Sequence, residues 1–128
     1  MRLIEYEDAS PEVLAVYEEI RRVRKTDYIN NFWKALANDP ETLRRTWEAS
    51  NQVMAPGTLD AVTKELIYLA VSITNQCAYC TASHTGSARN KGVTDKMLGE
   101  LLAVVGMANQ TNALAAGYRV EIDAKFRE

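Results

Sequence analysis

Helix punctuation is what most limits the folds open to this chain. Ser10-Pro11-Glu12 places an N-cap residue, a proline at the first helical position and an acidic first turn in succession. Each suits the backbone N–H groups that a helix start leaves unpaired. Val13, Leu14, Val16, Tyr17 and Ile20 follow at helical spacing, so a first helix is predicted from Pro11 to about Arg24. After a short aromatic segment, Asn31 to Leu36, Asp39-Pro40-Glu41 repeats the device and opens a helix to about Val53, stopped by Met54-Ala55-Pro56-Gly57. Thr58-Leu59-Asp60 starts a long helix whose stripe of Leu59, Val62, Leu66, Leu69 and Ile73 predicts deep packing. Beyond a polar break at Thr74-Asn75-Gln76, the segment from Cys77 to about Asn90 reads as another helix, ended by Lys91-Gly92. Thr94-Asp95 then caps a helix with Met97, Leu98, Leu101, Leu102 and Val105 inward, and an alanine-rich last helix is expected from Asn109 to Phe126. Met97 and Met107 read as core filler, Phe32 and Trp33 as packing residues, and the charges from Arg119 to Arg127 as a solvated face. Strand signals hardly occur. The chain is read as all-α, a bundle of about six to seven helices. With 128 residues, no repeat and no long linker, it is expected to be a single domain over 1–128.

Composition narrows the function. Apolar residues make up 47% and charged residues 25% of the chain, as in ordinary folded proteins. A formal charge of −2 and a pI near 5.5 give no electrostatic footprint for nucleic acid. No charged residue occurs from Leu66 to Ala88, counting His84 as neutral, yet the strongly apolar part ends near Ile73. It falls short of the ~20 apolar residues that a spanning helix needs. Glu5, Glu7 and Asp8 break any apolar signal core at the N-terminus, so a cytoplasmic protein with no membrane partner is expected. Two cysteines in such a chain point to catalysis, redox sensing or metal binding rather than to a structural staple.

Cys77-Ala78-Tyr79-Cys80 is the sharpest local motif. Thiols at i and i+3 on one helical turn lie close enough to alternate between dithiol and disulfide. A helix N-terminus, with its unpaired N–H groups and positive dipole end, favours the thiolate. On its own a CxxC suits redox use, metal binding or neither. His84, the sole histidine, lies one turn beyond Cys80 and can exchange protons near neutral pH. Glu65 sits beside the apolar stripe of the preceding helix, where burial is expected to raise its pKa. The plainer readings are a histidine bonded to backbone and a glutamate reaching solvent.

Glu65, Cys77 twelve positions on, Cys80 and His84 reproduce the order and spacing of an E-x11-C-x2-C-x3-H signature. In this the chain resembles the alkylhydroperoxidase D family, within the carboxymuconolactone decarboxylase-like fold. The resemblance extends along the chain, through the Asn31-Phe32-Trp33 and Asp39-Pro40-Glu41 region, to small single-domain members. It implies an all-helical subunit that assembles into homo-oligomers, trimer or hexamer, and reduces hydroperoxides at the expense of a thiol or dithiol reductant without a cofactor or metal. By this match Cys80 is the peroxidatic residue, Cys77 resolves it to a redox disulfide, and Glu65 and His84 relay protons. Helix electrostatics alone point instead to Cys77 as the more acidic thiol. Better-known members carry a histidine where Tyr79 stands. A phenol with a pKa of about 10 carries protons poorly at neutral pH, which implies slower turnover or a different reductant and makes Tyr79 a local modulator.

Three other functions fit parts of the pattern. Zinc could take Cys77, Cys80, His84 and Glu65, although three ligands on one helix within two turns make poor tetrahedral geometry. A carboxymuconolactone decarboxylase-type enzyme would use acid/base residues without the cysteine pair. A non-catalytic, redox-sensing oligomeric subunit would use the disulfide only to alter packing.

Overall fold

The computed structural model describes residues 1–127. Among them the chain forms six α-helices and two short 3-10 turns, with no strand. The all-α expectation holds; Glu128, the last residue of the expected domain, lies outside the described residues. The chain is organised as two compact units, Met1–Ala55 and a second from Pro56 onward.

The first unit contains α1 (Pro11–Arg24), α2 (Asn31–Leu36) and α3 (Pro40–Met54). Both proline-marked starts are where the sequence puts them. The Val13 N–H donates to Oγ of Ser10 and the Thr42 N–H to Oδ1 of Asp39, each at 3.4 Å. The Thr42 hydroxyl and N–H hold the Asp39 carboxyl below the usual carboxylate range. Val13, Val16, Tyr17 and Ile20 of α1 are buried with Leu43 and Trp47 of α3 and Trp33 of α2. Trp33 meets Trp47 edge to face with ring centroids 5.3 Å apart, a favoured aromatic geometry. The Tyr17 hydroxyl donates to the Ile4 carbonyl at 2.8 Å, and burial pushes this phenol up to about 12. Phe32, expected to pack, leaves 41% of its surface exposed.

The second unit contains α4 (Ala61–Thr74), α5 (Ala78–Asn90) and α6 (Asp95–Gly117), with α4 packed against both of the others. Three expectations are corrected here. The long helix starts after Asp60, whose Oδ1 accepts the Thr63 N–H at 2.7 Å, so Leu59 lies outside it and is exposed. Its buried face is Glu65, Leu69 and Ser72, while Ile67, Tyr68 and Val71 are exposed. The two helices expected after Thr94 are one, α6, and Phe126 lies in a separate 3-10 turn, Ala124–Phe126. Along α6 only Val105 is buried; Met97, Leu102 and Met107, expected inward, are exposed.

Two helix ends in this unit matter for the site. At the end of α4, Gln76 adopts the left-handed region with φ 55°. The Cys77 N–H bonds back to the Ser72 carbonyl and the Gln76 N–H to that of Ile73, each at 3.0 Å. This is a Schellman closure, and the residue that completes it, Cys77, is also the N-cap of α5. At the end of α5, Gly92 at φ 90° closes the same motif, with the Val93 N–H on the Ala88 carbonyl at 3.1 Å and buried Val93 and Ala88 side chains. Lys91 is thereby fixed at the C-cap.

Candidate active site at the start of α5

Cys77 and Cys80 form a disulfide with their Cα atoms 5.3 Å apart, inside the range a disulfide bridges without moving backbone. The sequence placed both thiols on one turn, and the structure makes their positions unequal. Cys77 caps α5, and its Sγ accepts the Cys80 backbone N–H at 3.2 Å. A sulfur at that position receives both a hydrogen bond and the positive end of the helix dipole, which favour negative charge on it. Cys80 stands in the first turn, with Tyr79 beside it at 44% exposure.

His84 follows one turn beyond Cys80 on the same helix, and α4 holds its imidazole on two sides. Oε2 of Glu65 lies 2.8 Å from Nδ1. The ring of Tyr68 stacks on the imidazole, with centroids 3.7 Å apart and planes 20° apart. Glu65 and Tyr68, three residues apart, share a helix face. Of the sequence-derived site residues, Glu65 and His84 thus meet directly, while Cys77 and Cys80 sit on the preceding turn of α5.

The Glu65 carboxyl departs from expectation. It is buried, and burial alone pushes it up. Hydrogen bonds from His84, Lys91 and Ser87, with the Lys91 charge, outweigh that penalty and lower it to about 2. Ser87 donates its hydroxyl to Oε1 at 2.6 Å, and the Lys91 ammonium reaches the same oxygen at 2.8 Å. Lys91 also donates to Oγ of Ser87 at 2.8 Å. Sequence reading missed Ser87, Lys91 and Tyr68. The available signal was the run of His84, Ser87 and Lys91 at i, i+3 and i+7, which lines one face of α5.

At neutral pH, then, Glu65 is a carboxylate and can only accept. Nδ1 of His84 must carry the hydrogen of their bond, so Nε2 is the ring atom left to take up or release a proton. With three donors on its two oxygens, Glu65 has little left to offer a metal. Among the described residues no group of three or more His, Cys, Asp or Glu side chains is arranged to hold one. Among them, too, no helix is long and apolar enough to cross a membrane.

An all-α chain with a cysteine pair at a helix N-terminus, next to a buried carboxylate–imidazole pair, falls into a recognisable class. The chain belongs to the carboxymuconolactone decarboxylase family, whose sequence pattern matches residues 40–120. Within that family it is AhpD-like. A crystal structure of the alkylhydroperoxidase AhpD core from Rhodospirillum rubrum superposes with a TM-score of 0.94 at 47% identity, over 98% of this chain and 95% of that one. Alkyl hydroperoxide reductase AhpD of Solibacter usitatus is 39% identical over 72 residues, 56% of this chain and 39% of that protein. An uncharacterized protein of the cox locus of Paracoccus denitrificans is 40% identical over 55 residues, 43% of this chain and 50% of that protein. The matches thus span half or less of those two proteins.

Proposed function

We propose that this chain is a thiol-dependent peroxidase that reduces hydroperoxides through Cys77 and Cys80, with His84 moving the protons and the Glu65 carboxylate orienting it. The observation that carries the reading is the disulfide at the N-terminus of α5, one turn from an imidazole fixed by an ionised carboxylate. In the reduced protein Nε2 of His84 takes the proton of the Cys80 thiol, the thiolate attacks the terminal peroxide oxygen, and the O–O bond breaks. The departing alkoxide takes a proton from Nε2 of His84, leaving an alcohol and a sulfenic acid on Cys80. Cys77 gives up its thiol proton and, as thiolate, attacks Sγ of Cys80; the S–S bond forms, and the departing hydroxide takes up that proton and leaves as water. An external thiol or dithiol supplies two electrons to reopen the disulfide.

Assignment of attack to Cys80 follows the family motif. The N-cap geometry fits Cys77 as its resolving partner, because that sulfur must be a thiolate to resolve and becomes one again when a reductant attacks Cys80. Tyr79 slows the relay relative to relatives that carry a histidine there. A cytoplasmic setting, with its thiol reductants, suits a disulfide that must be reopened every cycle. The whole-chain match to the Rhodospirillum rubrum structure supports 1–128 as one domain. Exposed Leu102, Val104, Met107 and Leu114 along α6 support a homo-oligomer, trimer or hexamer, in which a second copy covers them.

Peroxide consumption, assayed with a panel of dithiol reductants, tests the proposal. The parent protein is expected to turn over, whereas Cys77→Ser reduces one equivalent and stops with a sulfenic acid on Cys80. Cys80→Ser is expected to reduce none. The Glu65–His84 pair needs no thiol, so it also fits acid/base chemistry on a lactone acid; catalysis retained in Cys80→Ser favours that second reading.

A further inference from the structure

The hydrogen-bonded cluster extends beyond the residues that the mechanism uses. Oε1 of Glu65, the oxygen turned from His84, takes the Ser87 hydroxyl at 2.6 Å and the Lys91 ammonium at 2.8 Å, and those two are bonded to each other at 2.8 Å. We propose that Lys91, with Ser87, positions this site: it balances the charge on Glu65, so that the carboxylate orients His84 through Nδ1 without drawing a second proton onto the ring.

The argument is electrostatic. A buried carboxylate facing an imidazole alone stabilises the imidazolium, in which both nitrogens carry hydrogen and neither can accept. A base at Nε2 needs the carboxylate's orienting hydrogen bond but not its full charge. Lys91 supplies the compensating charge from the far side of the carboxylate. Its side chain is 37% exposed, so water screens it in part, but Glu65 at 6% is not, and the pair differs from an open surface ion pair. The Gly92 closure holds Lys91 at the C-cap, within reach of Glu65. From α4 the groups that meet the ring are Glu65 and Tyr68, while from α5 and its cap Ser87 and Lys91 reach the far oxygen of that carboxylate. On α6, which also packs against α4, Asp95 is paired with Arg89 at 2.8 Å. The Glu65 carboxylate itself is bonded by His84, Ser87 and Lys91.

This inference rests on the proposed role of His84 as a base, and its test reads the ring directly. The chain has one histidine, so ¹⁵N-labelled full-length protein gives a single pair of ring nitrogen signals to follow against pH. In Lys91→Met the ring is expected to gain its second proton about one pH unit higher than in the parent, and the acid limb of peroxide reduction to move up with it. Lys91→Arg restores both. Ser87→Ala gives a smaller shift in the same direction, and serves if Lys91→Met does not fold. Superimposable ring titrations in the parent and a folded Lys91→Met, or in the parent and Ser87→Ala where Lys91→Met is unfolded, overturn the inference. A shifted ring titration in a protein without peroxide turnover upholds the positioning role and removes the peroxidase reading instead.

Discussion

Oε2 of Glu65 on α4 lies 2.8 Å from Nδ1 of His84 on α5, and because that carboxylate is ionised it can only accept. One bond between two helices therefore fixes both the orientation of the imidazole and the nitrogen that carries its hydrogen, as carboxylate–histidine pairs do in catalytic triads and metal sites.

If the two residues act as one unit, their losses do not add. Glu65→Gln and His84→Gln are each expected to slow peroxide reduction by about 10²-fold, and the double variant by little more than the worse single. Stopped-flow peroxide consumption at neutral pH measures all three. Multiplicative losses in the double variant contradict a shared role.

The same carboxylate makes stability depend on acid. Its folded-state pKa, about 2, lies below the ordinary 4.5. Its contribution is therefore fully present above about pH 4.5 and is lost as pH falls from there towards 2, amounting to roughly 3 kcal/mol by linkage. Urea denaturation at stepped pH is expected to show the parent losing stability over that window, and Glu65→Gln losing less. Parallel curves contradict the account.

Much of this was legible in the sequence, and the failures share a cause. Ser10-Pro11 and Asp39-Pro40 announced α1 and α3 because capping is chemistry within one turn of chain. The spacing of Glu65, Cys77, Cys80 and His84 likewise marked the candidate site, where the cysteines are bridged and Glu65 meets His84. Lys91 read only as the end of a helix, because its bond to Glu65 joins residues 26 apart and exists only once α4 and α5 pack. The Glu65 pKa went the wrong way for that reason: burial was visible in the stripe, the three donors were not. α6 was divided because an alanine-rich last helix was expected to start afresh at Asn109. The Thr111 hydroxyl instead donates to the Met107 and Ala108 carbonyls, each at 3.1 Å, and the helix runs on. Met97 and Met107 were expected inside because apolar periodicity identifies a stripe without saying what covers it.

The two Schellman closures differ in chemistry at the same left-handed position, glutamine at 76 and glycine at 92. Gln76→Gly relieves the side-chain penalty and is expected to raise unfolding free energy by roughly 0.5–1 kcal/mol. Gly92→Ala introduces it, and although no neighbouring atom blocks the added Cβ, a loss of about 1 kcal/mol is expected. Guanidinium denaturation of both variants decides the matter; equal signs contradict the assignment.

Cys77 and Cys80 are expected to exchange two electrons with a hydroperoxide. Fully reduced protein is treated with one equivalent of hydroperoxide, free thiols are counted, and the linkage is mapped by mass spectrometry of peptides. Loss of both thiols into a Cys77–Cys80 disulfide, with one equivalent of peroxide consumed, is the predicted result. Retention of both thiols contradicts it.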